Sequence, residues 1–158
     1  MKYARTGTVW TSEPCLRRVV AVGRTLPLGS NVPAVEVTLP PSTESPSRAR
    51  RLVESALASD PTELVDVVTL LVSEAVTNAV LHAGTEVRVR IGHDGASVRV
   101  EVADASPVAS VVRHNSDAAT TGRGMMLIDQ LADNWGQHRS ADGKVIWFEL
   151  SAPAVAAV

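Results

Sequence analysis

The chain has 158 residues, of which 45% are apolar and 20% are charged, and its formal net charge is −2. These values are ordinary for a soluble globular protein and predict one domain with a substantial core. Aromatic residues make up only 3%, so the core must be built from Val, Leu, Ala and Ile. No apolar run reaches the roughly 18 residues that a membrane-spanning helix needs, so we expect no transmembrane segment. The N-terminus lacks the apolar region of a secretory signal and Cys15 is the only cysteine, so we expect a cytoplasmic protein without a disulfide or a cysteine-based metal site.

The charge is unevenly distributed along the chain. Residues 1–31 hold five basic residues and one acidic residue, a net +4 that leaves −6 for the remainder. Scattered charges of this kind form a solvated tail more often than a contact for an acidic partner, so we expect a loosely ordered basic arm over residues 1–31. The remaining body is too acidic to indicate a nucleic-acid-binding protein.

The first strand and helix are predicted directly after the arm. Apolar and polar side chains alternate toward the end of residues 32–39, which predicts a strand. Ser45 and Pro46 are typical of a helix N-cap followed by proline at the first helical position. A helix is therefore predicted over residues 47–58.

A longer helix is predicted next. Asp60 and Pro61 repeat the N-cap pattern, and an apolar face at helical spacing continues from Thr62 to Gly84, a glycine typical of a helix C-terminus. The remaining elements are four strands at 87–91, 98–102, 135–139 and 145–150, a polar connection at 108–121, and a helix that starts at 122–124 and ends near residue 131.

The order of these elements predicts the fold class. Helices and strands are grouped rather than strictly alternating, which favours an α+β two-layer sandwich: a mixed, mostly antiparallel sheet with helices on one face. The domain is predicted to span residues 32–151, with a flexible tail at 152–158. The other face of the sheet is expected to be in water, because charged residues alternate with the apolar ones at Arg88, Arg90, Arg99 and Glu101.

Glu74 and Asn78 lie one turn apart on the rim of the long helix's apolar face. At this spacing their side chains are neighbours. An acid and an amide at the edge of a core are positioned to face a cleft, but helix geometry alone favours a polar rim without any role equally well.

Two further segments carry residue types that suit a nucleotide. Glycines such as Gly122 and Gly124 at a helix start let the backbone approach an anion, where free N–H groups and the helix dipole favour phosphate, although Gly-x-Gly also serves as a tight turn. Asp104 ends a strand and can accept a hydrogen bond from an exocyclic amine such as that of adenine, although such residues more often cap a turn. The amide oxygen of Asn78 suits Mg²⁺, and the carboxylate of Glu74 suits the deprotonation of a hydroxyl nucleophile.

Together these segments resemble the GHKL ATP-binding fold, the family of gyrase, histidine kinases and anti-sigma-factor serine kinases. The resemblance extends over residues 35–150, and the order and spacing of its three boxes agree with the family. The group that the chain resembles most is the stand-alone anti-sigma-factor kinases common in actinobacteria. The boxes are Glu-Ala-Val-Thr-Asn-Ala at 74–79, Asp-Ala-Ser-Pro at 104–107 and Gly-Arg-Gly-Met at 122–125.

The resemblance implies a role for each box. Glu74 is the general base, Asn78 coordinates Mg²⁺, and Asp104 holds the adenine amine. The backbone of the third box wraps the phosphates of ATP, and the ATP-binding residues expected there are Thr121, Gly122, Arg123, Gly124 and Met125.

The resemblance also implies a lid, formed by residues 108–121, that closes over the nucleotide. Arg48 or Arg50 on the first helix reaches a phosphate or a partner in this interpretation, and is otherwise part of a solvated helix face. The chain departs from the family pattern at two places. Ser106 and the following proline replace the glycines of the first glycine box, which stiffens the lid hinge, and Val145 stands where a threonine near adenine is common.

The resemblance predicts an ATP-binding regulatory protein, specifically a serine/threonine kinase like the anti-sigma-factor kinases. Such a protein phosphorylates an antagonist protein with Mg-ATP and binds a sigma factor, and related kinases are often homodimers. The alternatives are a non-catalytic, ATP-dependent protein-binding module and a scaffold without a ligand. A sensor histidine kinase is disfavoured because the chain has no phosphoacceptor histidine segment, and its four histidines lack metal-ligand spacing.

Overall fold

The computed structural model describes residues 34–107 and 120–152, with side-chain surroundings from residue 123 onward in the second range. The predictions for residues 1–31, 108–119 and 153–158 lie outside the described residues. The elements in these ranges are β1 (Ala34–Leu39), α1 (Ser45–Ala56), α2 (Thr62–Ala83), β2 (Val87–His93), β3 (Ser97–Asp104), α3 (Thr120–Leu131), β4 (Asn134–Ser140) and β5 (Gly143–Ser151).

The strands form one sheet in the order β1-β2-β3-β5-β4, and each pairing between these strands is antiparallel. Because side chains alternate across a strand, the register divides the sheet into two faces. One face carries Val89, Val100 and Phe148, which are buried beneath the helices. The predicted α+β two-layer architecture is therefore confirmed.

The long helix α2 supplies the centre of the core. Its predicted apolar face is buried throughout, and that face consists of Leu64, Val68, Leu71, Val72, Ala75 and Ala79. Among the described residues α2 is the one helix whose length and composition would allow it to cross a membrane. Its packing against α1, α3 and the sheet accounts for the same apolar composition.

The predicted N-caps are wrong at both of the first two helices. Ser45 lies inside α1 and its Oγ donates a hydrogen bond to the carbonyl of Pro40 at 2.6 Å, so Glu44 takes the N-cap position without a side-chain cap bond. At α2 the N-cap is Pro61, because the Asp60 carboxylate instead lies 3.3 Å from His93 Nε2 at the end of β2. At both helices, a residue outside the helix engages the side chain that was expected to cap the helix N-terminus.

The end of α2 is as predicted, because Gly84 adopts the left-handed conformation with φ of 61°. The start of α3 differs. The helix begins at Thr120, so Gly122 and Gly124 lie within its first turns rather than before them.

The second face of the sheet is less exposed to solvent than predicted. Arg99, on this face of β3, is only 3% exposed. Its guanidinium donates to Glu101 Oε1 at 2.9 Å and to Glu149 Oε1 at 2.8 Å, and it lies 4.2 Å from the ring centroid of Trp147. The alternation of side chains along β3 placed Arg99 on the correct face of the sheet. It did not indicate that the Arg99 guanidinium pairs with two carboxylates and stacks on Trp147.

We expect Arg99→Met to destabilise the fold by about 3 kcal/mol, because it leaves two carboxylates beside each other without their common cation. Arg88→Met is the control on the neighbouring strand. Arg88 is exposed on the same face of the sheet, so its loss should cost under about 1 kcal/mol. Urea unfolding of the two variants measures both values, and equal losses would show that the Arg99 cluster adds no more stability than an exposed arginine.

The β2–β3 turn is held by Asp94. Its Oδ1 accepts hydrogen bonds from the backbone N–H groups of Ala96 at 2.9 Å and Ser97 at 2.7 Å. The bond from Ala96 is the main reason that the pKa of Asp94 lies below its ordinary value, and it outweighs the opposing effect of burial.

Because folding lowers the pKa of Asp94, its ionised form stabilises the fold above an ordinary Asp pKa of about 4, and that contribution is lost as the pH falls through the lower folded-state pKa. We therefore expect Asp94→Asn to melt below the wild type at pH 7 and the two melting temperatures to converge in acid. Asp66→Asn, at an exposed position on α2, controls for the loss of one negative charge. A constant difference between Asp94→Asn and wild type from pH 7 to pH 3 would contradict this assignment.

Candidate functional site

Helices α2 and α3 meet where Glu74 lies against Gly124. A Cβ built on Gly124 would lie 3.0 Å from Glu74 Oε2 and 3.2 Å from Glu74 Cβ, which is closer than side chains normally pack. The glycine therefore lets the backbone of α3 approach the acid. Glu74 itself is half-buried, so its carboxylate is at the edge of the core rather than inside it.

Asn78 lies one turn after Glu74 and is only 9% exposed. The helical spacing makes the amide and the acid neighbours on the rim of α2. Two segments that lie far apart in the sequence, the acid-and-amide turn of α2 and the start of α3, are thus adjacent in the fold.

Asp104 ends β3 on the face of the sheet that carries the helices. The carboxylate is buried, and its Oδ1 accepts a hydrogen bond from the backbone N–H of Ser106 at 2.8 Å. Its Oδ2 lies 3.5 Å from Nζ of Lys144, the residue opposite it on β5. The aspartate is therefore both a turn cap and one half of a buried ion pair.

The turn that follows Asp104 is held at every residue. The backbone N–H of Ala105 donates to Thr85 Oγ1 at 3.2 Å, and Arg139 Nη2 donates to the carbonyl of Pro107 at 2.7 Å. With the Ser106 bond, these contacts fix the segment that carries the departure from the family's first glycine box.

The other residues of the third box differ in their surroundings. Thr121 and Gly122 lie in the first turns of α3, Arg123 is exposed, and the side chain of Met125 packs in the core at the inner side of the helix. Any contact of Met125 with a phosphate would therefore come from its backbone. The predicted lid falls mostly on residues 108–119, outside the described residues.

Arg50 has a structural partner on α2. Its guanidinium donates to Ser73 Oγ at 2.9 Å and to Ser47 Oγ at 2.7 Å, which ties α1 to the residue next to Glu74. Arg48 is exposed. The interpretation of Arg48 as part of a solvated helix face fits its position.

Sequence reasoning missed Lys144 and Arg139. Val145 is expected where the family commonly has a threonine near adenine. Val145 pairs with Ala103, however, and its side chain therefore lies on the face of the sheet opposite Asp104. Lys144 is the β5 residue beside the aspartate. Lys144 could have been found only from the antiparallel register of β3 with β5, because the alternation of side chains within one strand does not show which residues of two strands are paired.

A surface cavity of about 350 Å³ lies on the other side of this strand end. Three of its lining residues, Thr38, Arg88 and Ala103, form one row across the sheet on the face away from the helices. Neither Glu74 nor Asn78 lines it. Asp104 is among its lining residues, so the cavity reaches the end of β3 but does not include the α2–α3 contact.

A comparison with known protein families matches residues 39–150 to the histidine kinase-like ATPase domain. The chain belongs to this family. The matched range covers more than half of the chain and includes all three boxes, at 74–79, 104–107 and 122–125. No curated protein matches the chain.

Membership of the histidine kinase-like ATPase family implies ATP binding, and the described residues fit a nucleotide with its magnesium ion. Mg²⁺ bound through phosphates needs few protein ligands, and the buried amide of Asn78 supplies a neutral oxygen. Within residues 34–107 and 120–152, no group of three or more His, Cys, Asp and Glu side chains is arranged to hold a metal by itself. Gly124 keeps the α3 backbone free of side-chain atoms where it faces Glu74.

The strand end of this ATPase domain depends on Gly143. A Cβ there would lie 1.9 Å from the carbonyl oxygen of Asp104 and 2.5 Å from Cα of Ala105, and these backbone atoms cannot yield without moving β3. We expect Gly143→Ala to cost more than the roughly 1–3 kcal/mol of ordinary overpacking.

The matched control for Gly143→Ala is Gly95→Ala in the β2–β3 turn. Gly95 has a φ of 84° and open space around it, so alanine there should cost only the backbone term of about 1–2 kcal/mol. Urea unfolding of both variants gives the comparison. A Gly143 variant as stable as the Gly95 variant would show that β5 does not press on the Asp104 turn.

Proposed function

We propose that the protein is a serine/threonine kinase of the anti-sigma-factor type, which uses Mg-ATP to phosphorylate a small antagonist protein and binds a sigma factor in competition with it. The observation that carries this proposal is the half-buried carboxylate of Glu74, held against Gly124 and one turn from Asn78. A protein kinase needs a base beside its phosphate-binding segment, and the contact of Glu74 with Gly124 at the start of α3 supports that role for the acid.

Each residue then has a defined task in the transfer. Glu74 takes the proton from the hydroxyl of the antagonist as that oxygen bonds to the γ-phosphorus, and ADP leaves with the electrons of the broken P–O bond. Asn78 holds the magnesium ion through its amide oxygen. Asp104 accepts the adenine amine, and the backbone of residues 121–125 donates to the phosphates.

The test is transfer from γ-labelled ATP to candidate antagonist proteins, with wild type compared with Glu74→Gln. Glutamine keeps the shape that packs on Gly124 but cannot accept the proton. We expect the rate of transfer to fall by about 10²- to 10⁴-fold, as is typical for loss of a general base. ATP affinity, measured by calorimetry, should change little because the amide retains the packing of the acid.

Glu63→Gln is the control, since Glu63 is exposed in the first turn of the same helix. It should leave transfer unchanged. Transfer that persists at the wild-type rate in Glu74→Gln would refute Glu74 as the base.

A second candidate function is a non-catalytic module that binds its protein partner only with ATP. The fixed turn at residues 104–107 favours it, because the lid of a fast kinase must open and close in each cycle. Calorimetry and the transfer assay separate the two functions. Tight Mg-ATP binding with no transfer to any antagonist supports the module, whereas transfer that depends on Glu74 supports the kinase.

A further inference from the structure

The solvent side of α2 carries apolar side chains where a surface helix normally carries polar ones. Leu70 is 40% exposed and Leu81 is 58% exposed. They are two of the four large apolar side chains that are exposed among the described residues. A single exposed leucine is ordinary in a folded protein. The positions of these two relative to Glu74 decide whether they belong to one surface.

Leu70, Glu74 and Leu81 lie along one side of α2. At about 100° per residue, the directions of the three side chains fall within about 40° of one another. At about 1.5 Å per residue, Glu74 lies roughly 6 Å beyond Leu70, and Leu81 lies roughly 10 Å beyond Glu74. Thr77 is partly exposed between Glu74 and Leu81. These four residues form what we define as the Leu70–Leu81 surface, in which exposed apolar side chains flank the half-buried carboxylate at both ends.

The place of Glu74 within this surface restricts what can cover it. In the proposed transfer, the hydroxyl of the protein substrate comes to about 3 Å from the Glu74 carboxylate. A protein interface of ordinary size covers about 800 Å² on each partner, which extends well beyond the distance from Glu74 to either leucine. Phosphates gain nothing from contact with leucine, so the surface suits the protein substrate rather than the nucleotide.

The charges of α2 indicate the chemistry of that substrate. The helix carries three acidic residues and no lysine or arginine. Asp66 is exposed one turn before Leu70. Arg50, which α1 directs toward this helix, already donates to two serine hydroxyls. An apolar surface with an acidic border is complementary to a partner that has apolar side chains at the centre and basic ones beside them.

We propose that the Leu70–Leu81 surface is where the protein substrate docks. The substrate presents its serine or threonine hydroxyl between apolar side chains, with lysine or arginine on the side that faces Asp66. This inference rests on the proposed kinase function, because it requires Glu74 to receive the hydroxyl. Leu70 and Leu81 are then specificity-determining residues that bind the substrate and take no part in the chemical step.

The test is steady-state transfer from γ-labelled ATP to the antagonist protein that the wild type phosphorylates, repeated with Leu70→Gln and Leu81→Gln. Glutamine has nearly the helix propensity of leucine, and both positions are exposed, so the fold should be retained. Each variant should raise the KM for the antagonist about fivefold, and the double variant about 25-fold, through lost apolar contact. The kcat and the KM for ATP should not change, because only substrate binding is weakened.

Asp66→Lys tests the charge of the partner. It should raise the KM for the antagonist about threefold at low salt, and the effect should shrink at high salt because exposed charges are screened. A lower KM in Asp66→Lys would overturn the proposed chemistry of the substrate.

Val35→Thr is the control, because Val35 is an equally exposed apolar residue, at 43%, on the edge strand β1 outside α2 and α3. It should leave the KM for the antagonist unchanged. A KM that is the same in the wild type, Leu70→Gln and Leu81→Gln would overturn the proposal. So would sedimentation showing that the double variant dissociates a wild-type dimer, since the surface would then bind a second copy of the chain.

These outcomes separate the docking surface from the proposed function beneath it. Transfer that persists at the wild-type rate in Glu74→Gln, or a wild type that phosphorylates no antagonist, refutes the proposed function, and the docking surface falls with it. Transfer that depends on Glu74 but has the same KM in Leu70→Gln and Leu81→Gln as in the wild type refutes the docking surface alone.

Discussion

The burial of one side of α2 is the constraint on which the rest of the structure depends. The helix lies against the sheet with its apolar face fully removed from water, so its rotation about its own axis is fixed. That rotation places Glu74 and Asn78 on the rim of the core. The start of α3 then reaches the same rim because Gly124 has no side chain to hold the two helices apart. The acid, the amide and the glycine are therefore positioned by the packing of the core.

The second fixed point is the end of β3. Asp104 is held by its ion pair with Lys144, and the turn after it is held by Thr85 of the α2–β2 loop and Arg139 of β4. A strand end tied in this way is a rigid platform rather than a flexible hinge. Such rigidity suits the recognition of a base, which requires donors and acceptors at constant positions.

Much of this arrangement could be predicted from local sequence patterns. Strand alternation, the apolar face of α2 and the glycine at position 84 each depend on residues close in the chain, and the structure confirms them. The predictions that failed depend on distant partners. Ser45 and Asp60 do not cap their helices, because Pro40 and His93 engage their side chains instead. Lys144 meets Asp104 only through the pairing of β3 with β5, across forty residues of sequence, and Arg99 is buried by carboxylates on two strands and by Trp147.

The most direct test of the central claim is an NMR titration of the ¹⁵N-labelled protein with Mg-ATP, because the two sides of the Asp104 strand end give separate signals. A nucleotide held between α2, α3 and Asp104 predicts saturable shifts at the amides of Glu74, Asn78 and Gly124, with little change at Thr38 and Arg88. Shifts centred on Thr38 and Arg88, around the cavity on the opposite face, would contradict the account.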